Sequence, residues 1–244
     1  MSTPTIATHE QWQAARDELL AREKEHTHTA DALARARREL PWLPVDKTYT
    51  LQTADGPRTL AELFDGRSQL VIYHFMFGPD YEHGCPVCSS IADSFNGVLE
   101  HLKARDTTMI CVSQAPVKKL QAEKARLGWS FDWVSSAQSD FNADFEHTVT
   151  REQATAWVPG APPIVAQNAT DCGTDPAGYM AQRPGLSVFA VKDGDVYLTY
   201  TSTSRGLEVV MTYYGILDRT PLGRNEGEPP YPTWMRRHDE FAAA

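Results

Sequence analysis

The feature that most constrains this 244-residue chain is a pair of cysteines, Cys85 and Cys88, placed where an apolar run meets a helical pattern. Residues 69–77 are nearly continuously apolar, which is typical of a strand buried on both faces. Residues 86–105 then repeat apolar side chains at helical spacing. A Cys-x-x-Cys between a buried strand and a helix predicts an α/β fold with a reactive dithiol at that junction.

The segments that follow the dithiol alternate in the same way. Residues 107–113 predict a second buried strand, residues 116–127 a helix, and residues 131–134 a short third strand. Strands that alternate with helices need crossover connections, which place the strands parallel to one another. The sequence therefore predicts a parallel core around the strand that precedes the cysteines.

Residues 135–183 interrupt this alternation with prolines, glycines and short polar stretches. They predict a long insertion with at most short helices. A loop of this length is usually functional, for example a lid, and an oligomer contact is the alternative that we weigh equally. After it, the turn Asp193-Gly194 predicts a hairpin, and residues 206–217 predict a last helix.

Residues 1–43 precede the α/β pattern and predict a separate helical extension. Thr8 and Gln11 fit a capping box that starts a first helix. A second helix at about residues 31–40 ends before Pro41. The expected organisation is this charged helical extension, a domain at 44–219 and an irregular tail at 220–244.

Composition limits the classes of partner. The net charge of −9 and the pI near 5.3 do not favour nucleic acid or anionic membranes. No apolar stretch approaches the roughly 20 residues of a membrane span, and no secretory signal is evident. We therefore expect a cytoplasmic protein whose four cysteines do not form a structural disulfide framework. No glycine-rich dinucleotide fingerprint follows a strand, so no bound cofactor is expected.

The dithiol has a physical reason to be reactive. Cys85 is expected at the N-cap of a helix, with Pro86 at the first helical position, where its missing N–H costs nothing. The free amides and the positive end of the helix dipole there should lower the pKa of Cys85. Cys88 lies one turn further along, which suits a resolving thiol.

Other uses of the cysteines stay open at this point. Cys85, Cys88 and His83 could hold copper or zinc, with His74 nearby on the preceding strand. His74 is better explained as a hydrogen-bonded core histidine. A non-catalytic binding module is a further alternative, in which the extension and the insertion form an interface.

Several side chains are candidates for a substrate site beside the dithiol. Tyr81 and Trp129 could wall a pocket, and His83 could tune Cys85 by its charge. Arg205 could support an anionic substrate or a thiolate, although a salt bridge is the preferred explanation. Two further thiols lie outside the Cys-x-x-Cys pair, and Cys172 could be a third redox partner. Cys111 is predicted to be an inert core thiol, and Cys172 an exposed one that nothing in the sequence places beside Cys85.

The order of elements resembles the thioredoxin fold: a three-layer α/β sandwich with a mixed central sheet, here with an insertion before the C-terminal hairpin. Pro184 lies where that superfamily often carries a proline that faces the dithiol, so the resemblance implies that Pro184 supports substrate through its backbone. The stretch TLAELFDGRSQLVIYHFMF resembles the lead-in of peroxiredoxin-like and TlpA-like members.

A closer resemblance covers residues 40–238. The motifs FMFGPDYEHGCPVCSSIAD, GWSFDWVSS, DFNADF, PGLSVF and DRTPLGRNE resemble a bacterial thioredoxin-like family of unknown function. Cys-Pro-Val-Cys is more similar to the glutaredoxin motif than to the thioredoxin motif, and Gly84 stands where thioredoxins carry tryptophan. The resemblance implies a fold and a dithiol, and the dithiol itself predicts a thiol–disulfide oxidoreductase or thiol-dependent reductase. Its partner would be a small-molecule or protein thiol or disulfide, and a homo-oligomer is compatible with the extension.

Overall fold

The computed structural model describes residues 4–226 and 233–241, and it divides into two compact units, Met1–Pro41 and Trp42–Ala244. The first unit is built on one helix, α1, His9–Arg38, which begins with the predicted capping box of Thr8 and Gln11. We predicted two helices here. No glycine or proline interrupts residues 21–30, so the helix continues through them.

In the described residues of the second unit, eight strands form one sheet in the order β1-β8-β7-β4-β5-β6-β2-β3. Their ranges are β1 Leu43–Pro44, β2 Thr50–Thr53, β3 Gly56–Thr59, β4 Gln69–His74, β5 Thr107–Ser113, β6 Asp132–Ser135, β7 Gly185–Lys192 and β8 Asp195–Thr203.

Short helices lie between these strands, and a last one follows β8. They are α2 Pro86–Ala92, α3 Leu99–Lys103, α4 Val117–Arg126, α5 Phe141–Asp144, α6 Arg151–Trp157, α7 Ile164–Asp171, α8 Pro176–Met180 and α9 Thr212–Leu217. The insertion is thus a series of short helices, α5 to α8, as the sequence predicts. Among the described residues, no helix is both long and apolar enough to cross a membrane.

The topology is thioredoxin-like. The strand β4 pairs in parallel with β5 and antiparallel with β7, while β5 and β6 are parallel. The strands β7 and β8 form the predicted hairpin, whose turn residues Asp193 and Gly194 both have positive φ, as a type I′ turn requires. The predicted three-layer α/β fold with a mixed central sheet is confirmed.

The helix predicted at 86–105 is broken between α2 and α3. Its middle holds polar residues that compete with the helix by bonding elsewhere. Asp93 accepts a hydrogen bond from the indole of Trp129 at 2.7 Å, and Asn96 accepts one from the backbone N–H of Ser130 at 2.8 Å. These hydrogen bonds connect the segment between α2 and α3 to the loop after α4, and the helix is interrupted there.

Side chains of β4 alternate between two cores. Leu70 and Ile72 point into one core, and Tyr73 into the other, which also contains Cys85 and Cys88. The dithiol therefore lies on the Tyr73 side of the sheet, just beyond the carboxyl end of its central strand.

Candidate functional site

Cys85 is the N-cap residue of α2, as predicted, with Pro86 at the start of the helix. The chain leaves β4 and returns so that the N–H of Cys85 donates to the carbonyl of Met76 at 3.0 Å. The carbonyl of Cys85 accepts the first helical hydrogen bond, from Ser89 at 2.9 Å. These bonds fix the sulfur at the positive end of the helix.

Both backbone polar groups of Gly84 are hydrogen-bonded. Its N–H donates to the buried carboxylate of Glu123 at 3.2 Å, and its carbonyl accepts from Nε and Nη2 of Arg237 at 3.0 and 2.8 Å. A Cβ at this position would lie 2.6 Å from the ring of Phe75. Glycine stands here, in place of the tryptophan of thioredoxins, because the backbone passes too close to Phe75 for a side chain.

The sulfur of Cys85 has a dedicated polar neighbour. The hydroxyl of Tyr179, on α8, lies 3.2 Å from Cys85 Sγ. The side-chain amide of Asn168, on α7, donates to the same hydroxyl at 3.0 Å. Because the Tyr179 oxygen accepts from Asn168, its own hydrogen is free to be donated to the sulfur.

Hydrogen bonding decides the ionisation of Cys85. Burial alone would raise the pKa of this thiol, but hydrogen bonds from the side chains of Cys172, Cys88 and Tyr179 outweigh burial and hold the pKa well below its usual value. Burial and the interactions with Cys85 raise the pKa of Cys88. The arrangement therefore shifts the pKa values of the two thiols in opposite directions.

Cys172 was predicted to be exposed, and the structure corrects this. Its side chain is fully buried at the end of α7, and it belongs to the same core as Cys85 and Cys88. The hydrogen bond with Cys85, followed by burial, raises its pKa. Cys111 is buried on β5, where burial raises the pKa of its thiol, in agreement with an inert core cysteine. All four cysteines are free thiols.

A pocket of about 250 Å³ opens onto the dithiol. It brings together Cys85, Cys88, Pro184 and Arg205, all of which the sequence singled out, and adds Tyr179 to them. Most of its remaining wall is apolar, formed by Met76, Val87, Ile91, Leu207, Met211 and Met235. Such a cavity suits a small, largely apolar molecule.

Charge at the edge of this pocket is balanced. Nε of Arg205 lies 2.7 Å from Glu208, which also pairs with Arg224 at 2.8 Å. Arg224 makes a second ion pair with Asp218 at 2.7 Å. Arg205 is thus engaged in a salt bridge, and no net positive charge is reserved there for an anionic substrate.

The other predicted site residues do not line the pocket. Tyr81 is buried and donates to the carbonyl of Tyr179 at 2.9 Å. Trp129 is buried in the core, with its indole bonded to Asp93. His83 is half exposed and lies 3.5 Å from Glu123. In this arrangement Tyr81 orients the segment that carries Tyr179, while Trp129 packs the core.

The metal-binding alternative would use Cys85, Cys88 and His83. Within residues 4–226 and 233–241, no group of three or more His, Cys, Asp or Glu side chains could hold a metal ion. His83 is directed at Glu123. His74 is fully buried and its Nε2 lies 2.9 Å from the hydroxyl of Ser187, as expected of a core histidine.

Sequence reasoning missed Tyr179, Asn168 and Arg237. The Asp175-Pro176 pair signals the start of α8, and the Asp175 carboxylate does cap it. No periodicity, however, directs the tyrosine of that helix towards Cys85. The tail signalled only an irregular segment, yet Arg237 is 3% exposed and bonded to Gly84.

Solved structures with a similar chain course include peroxiredoxins. The similarity to peroxidoxin BcpB from Mycobacterium tuberculosis has a TM-score of 0.45 at 15% identity and covers 71% of this chain and 96% of that one. A peroxiredoxin Q from Xanthomonas campestris gives 0.44 at 15%, covering 68% and 90%. The mitochondrial 2-Cys peroxiredoxin from Plasmodium falciparum gives 0.41 at 13%, covering 72% and 92%.

No curated protein matches the sequence. One family model does, over residues 1–241, and its description is "Bacterial protein of unknown function (DUF899)". This match confirms the resemblance to a bacterial family of unknown function, and it extends further towards the N-terminus than the motifs that first indicated it. The chain therefore belongs to the DUF899 family of bacterial proteins.

Proposed function

We propose that this protein is a thiol-dependent reductase of small molecules, with Cys85 as nucleophile and Cys88 as resolving thiol. The observation that carries the proposal is the position of Cys85 Sγ: at the N-terminus of α2, 3.2 Å from the Tyr179 hydroxyl and at the wall of an apolar pocket. A thiolate is the reactive form of cysteine, and this environment favours it.

The chemistry balances with a disulfide or a hydroperoxide as oxidant. The Cys85 thiolate attacks one sulfur of a disulfide, which forms a mixed disulfide and releases the other sulfur as a thiolate. With a hydroperoxide it attacks the terminal oxygen, the O–O bond breaks, and Cys85 sulfenic acid and an alkoxide form; the alkoxide takes a proton from solvent. The Cys88 thiolate then attacks Cys85 Sγ and forms the Cys85–Cys88 disulfide. In the mixed disulfide the S–S bond to the substrate breaks and the second thiolate leaves; in the sulfenic acid the S–O bond breaks and the leaving hydroxide takes a proton to form water.

Loss of the charge on Cys85 prepares Cys88 for its step. After burial, the causes that raise the pKa of Cys88 are its hydrogen bond with the Cys85 thiolate and the negative charge of that sulfur. Both disappear when Cys85 is oxidised, so the pKa of Cys88 falls when its thiolate is needed. A small thiol or a reductase then returns the disulfide to the dithiol.

The burial of Cys85 favours small substrates over protein disulfides. Its side chain is 1% exposed, and access runs through the pocket of about 250 Å³. The balanced charge of Arg205 and the apolar wall favour uncharged molecules, such as an alkyl hydroperoxide or an apolar disulfide. We propose the cytoplasm as the compartment, where thiol reductants are available.

The test is turnover by the full chain with dithiothreitol as reductant and cumene hydroperoxide, hydrogen peroxide, a small aromatic disulfide or insulin as oxidant. We expect activity with the small oxidants, little with insulin, and its loss in Cys85→Ser. The matched control is Cys111→Ser, which removes a buried thiol outside the site and should keep wild-type rates. Equal rates for wild type and Cys85→Ser would contradict the proposal and favour a non-catalytic binding module.

A further inference from the structure

The cluster around Cys85 contains a third thiol that the proposed reaction does not use. We propose that Cys172 is a second resolving thiol, which captures oxidised Cys85 as a Cys85–Cys172 disulfide. This inference rests on the proposed function, because it requires Cys85 to be the group that is oxidised. It assigns a role to a residue in the insertion, far from Cys88 in the sequence.

Backbone contacts first place Cys172 beside the dithiol loop. Its carbonyl accepts hydrogen bonds from the N–H groups of Glu82 and His83, at 2.8 and 3.3 Å. These two residues come directly before Gly84 and Cys85 in the sequence. The end of α7 is therefore bonded to the segment that delivers the nucleophile.

Arg237 secures the same junction from the other side. Its Nη2 donates at 2.8 Å to the carbonyl of Gly84 and at 2.8 Å to that of Asp171. Gly84 directly precedes Cys85 and Asp171 directly precedes Cys172, so one guanidinium atom bridges the neighbours of both cysteines. A buried, bidentate contact of this kind fixes geometry more firmly than a flexible lysine would.

The thiols themselves are neighbours. Cys85 and Cys172 are both fully buried and belong to one core cluster, and the interaction with Cys85 is the largest cause that raises the pKa of Cys172. Asn168, one helical turn before Cys172, bonds the Tyr179 hydroxyl that faces Cys85. The two sulfurs thus belong to a single packed site, which makes their reaction effectively unimolecular.

The balance of the step is simple. After a hydroperoxide has converted Cys85 to the sulfenic acid, Cys172 Sγ attacks Cys85 Sγ, the S–O bond breaks, and the leaving hydroxide and the Cys172 proton form water. Alternatively, Cys172 attacks a Cys85–Cys88 disulfide at Cys85, which forms Cys85–Cys172 and frees Cys88. Oxidation of Cys85 removes the negative charge that raises the pKa of Cys172, as it does for Cys88.

The experiment uses the reduced full chain with Cys88→Ser, treated with one equivalent of hydrogen peroxide and digested with trypsin. Trypsin cleaves after Lys and Arg, except at Arg183, which Pro184 follows. Cys85 therefore lies in peptide 68–103, Cys111 in peptide 106–118 and Cys172 in peptide 152–192. We expect mass spectrometry to find peptides 68–103 and 152–192 joined by a disulfide, with Cys111 still a free thiol.

Dimedone, which labels sulfenic acids, supplies the kinetic readout. In Cys88→Ser, labelling of Cys85 should be at least about tenfold lower than in Cys88→Ser/Cys172→Ser, because the intramolecular thiol competes with dimedone. The double variant Cys88→Ser/Cys111→Ser is the matched control and should label like Cys88→Ser. The wild-type chain, mapped in the same way, should contain some joined 68–103 and 152–192 peptides. This measurement tests the inference even if the Cys88→Ser variant fails to fold.

Two outcomes would overturn the inference and they are distinguishable. Strong dimedone labelling of Cys85 in Cys88→Ser, with Cys172 free and no joined peptides in any form of the chain, rejects Cys172 as a resolving thiol and leaves the proposed function intact. If Cys85 is neither labelled nor oxidised in any variant, the proposed function fails and this inference fails with it.

Discussion

The two faces of the central strand bury titratable groups with opposite results. On the Tyr73 face, Cys85 is buried but its pKa is lowered, so the charged form is favoured. On the opposite face, His74 and His147 stack with their ring centroids 3.5 Å apart. Burial lowers the pKa of His74 well below its usual value and that of His147 to about 4, so both rings are neutral.

The difference lies in the donors and acceptors that each face supplies. Three side chains donate to the sulfur of Cys85, and together they outweigh the cost of burying its charge. On the opposite face, His74 is hydrogen-bonded to the hydroxyl of Ser187, and the apolar ring of Phe141 stacks on the His74 ring. Burial alone therefore does not predict whether a group is charged. The Tyr73 face of β4, which buries Cys85 and which we call the thiol face, supplies the hydrogen bonds that stabilise a buried charge.

The largest effect should come from removing the guanidinium that holds the thiol face together. Arg237→Met leaves the carbonyls of Gly84 and Asp171 without their donor and the buried Glu123 without one of its cationic neighbours. We expect a loss of about 3–5 kcal/mol in the free energy of unfolding, measured by urea denaturation. The exposed neighbour Arg236→Met is the matched control, and equal stability of the two variants would contradict this account.

A smaller effect on the free energy of unfolding tests the face that carries His74 and His147. Because the pKa of His147 is about 4 in the fold and about 6.5 when unfolded, the unfolded chain binds more protons between these pH values. The free energy of unfolding should therefore decrease as the pH falls from about 6.5 to about 4, by about 3 kcal/mol from this residue. His147→Gln should remove that part of the acid-induced loss.

The control for this prediction is His101→Gln, which replaces an exposed histidine and should keep the wild-type pH dependence. Urea denaturation of the three proteins at several pH values between 4 and 7 gives the comparison. If His147→Gln and the wild type lose stability in parallel over this range, His147 is not buried as a neutral ring.

The sequence predicts the positions of Cys85 and Cys88 but not those of Cys172 and Arg237, which belong to the same site. Cys85, Cys88 and the strand before them are close in sequence, so the apolar run and the helix-start signals of Pro86 suffice to place them. Cys172 and Arg237 reach the site through folding of the insertion and the tail. Local periodicity carries no information about such long-range packing.

The same limit explains the error in the helix predicted at residues 86–105. The break after α2 depends on Asp93 and Asn96 bonding to the loop at Trp129 and Ser130, which is a tertiary contact. The apolar spacing of residues 86–105 continues across the break, so periodicity alone predicts one helix. In both cases the missing information is the partner of a polar group, and not its position in the sequence.

The smallest expected change isolates one donor on the thiol face. Tyr179→Phe keeps the ring that stacks on Tyr81 but removes the hydroxyl 3.2 Å from Cys85 Sγ. A hydrogen bond to a charged group contributes about 1.5–3 kcal/mol, which corresponds to a rise of about one to two units in the pKa of Cys85. The measurement is the pH dependence of iodoacetamide alkylation, with fragment spectra of peptide 68–103 assigning the label to Cys85.

Tyr213→Phe is the matched control, because it removes a hydroxyl that bonds Ser90 at 2.8 Å and not the sulfur of Cys85. We expect its alkylation profile to match that of the wild type. If Tyr179→Phe also matches the wild type, the remaining thiols and the helix terminus hold the charge without this hydroxyl. The contrast between the two faces of β4 would then depend on the sulfur cluster itself, since Cys172 and Cys88 are the other donors to Cys85.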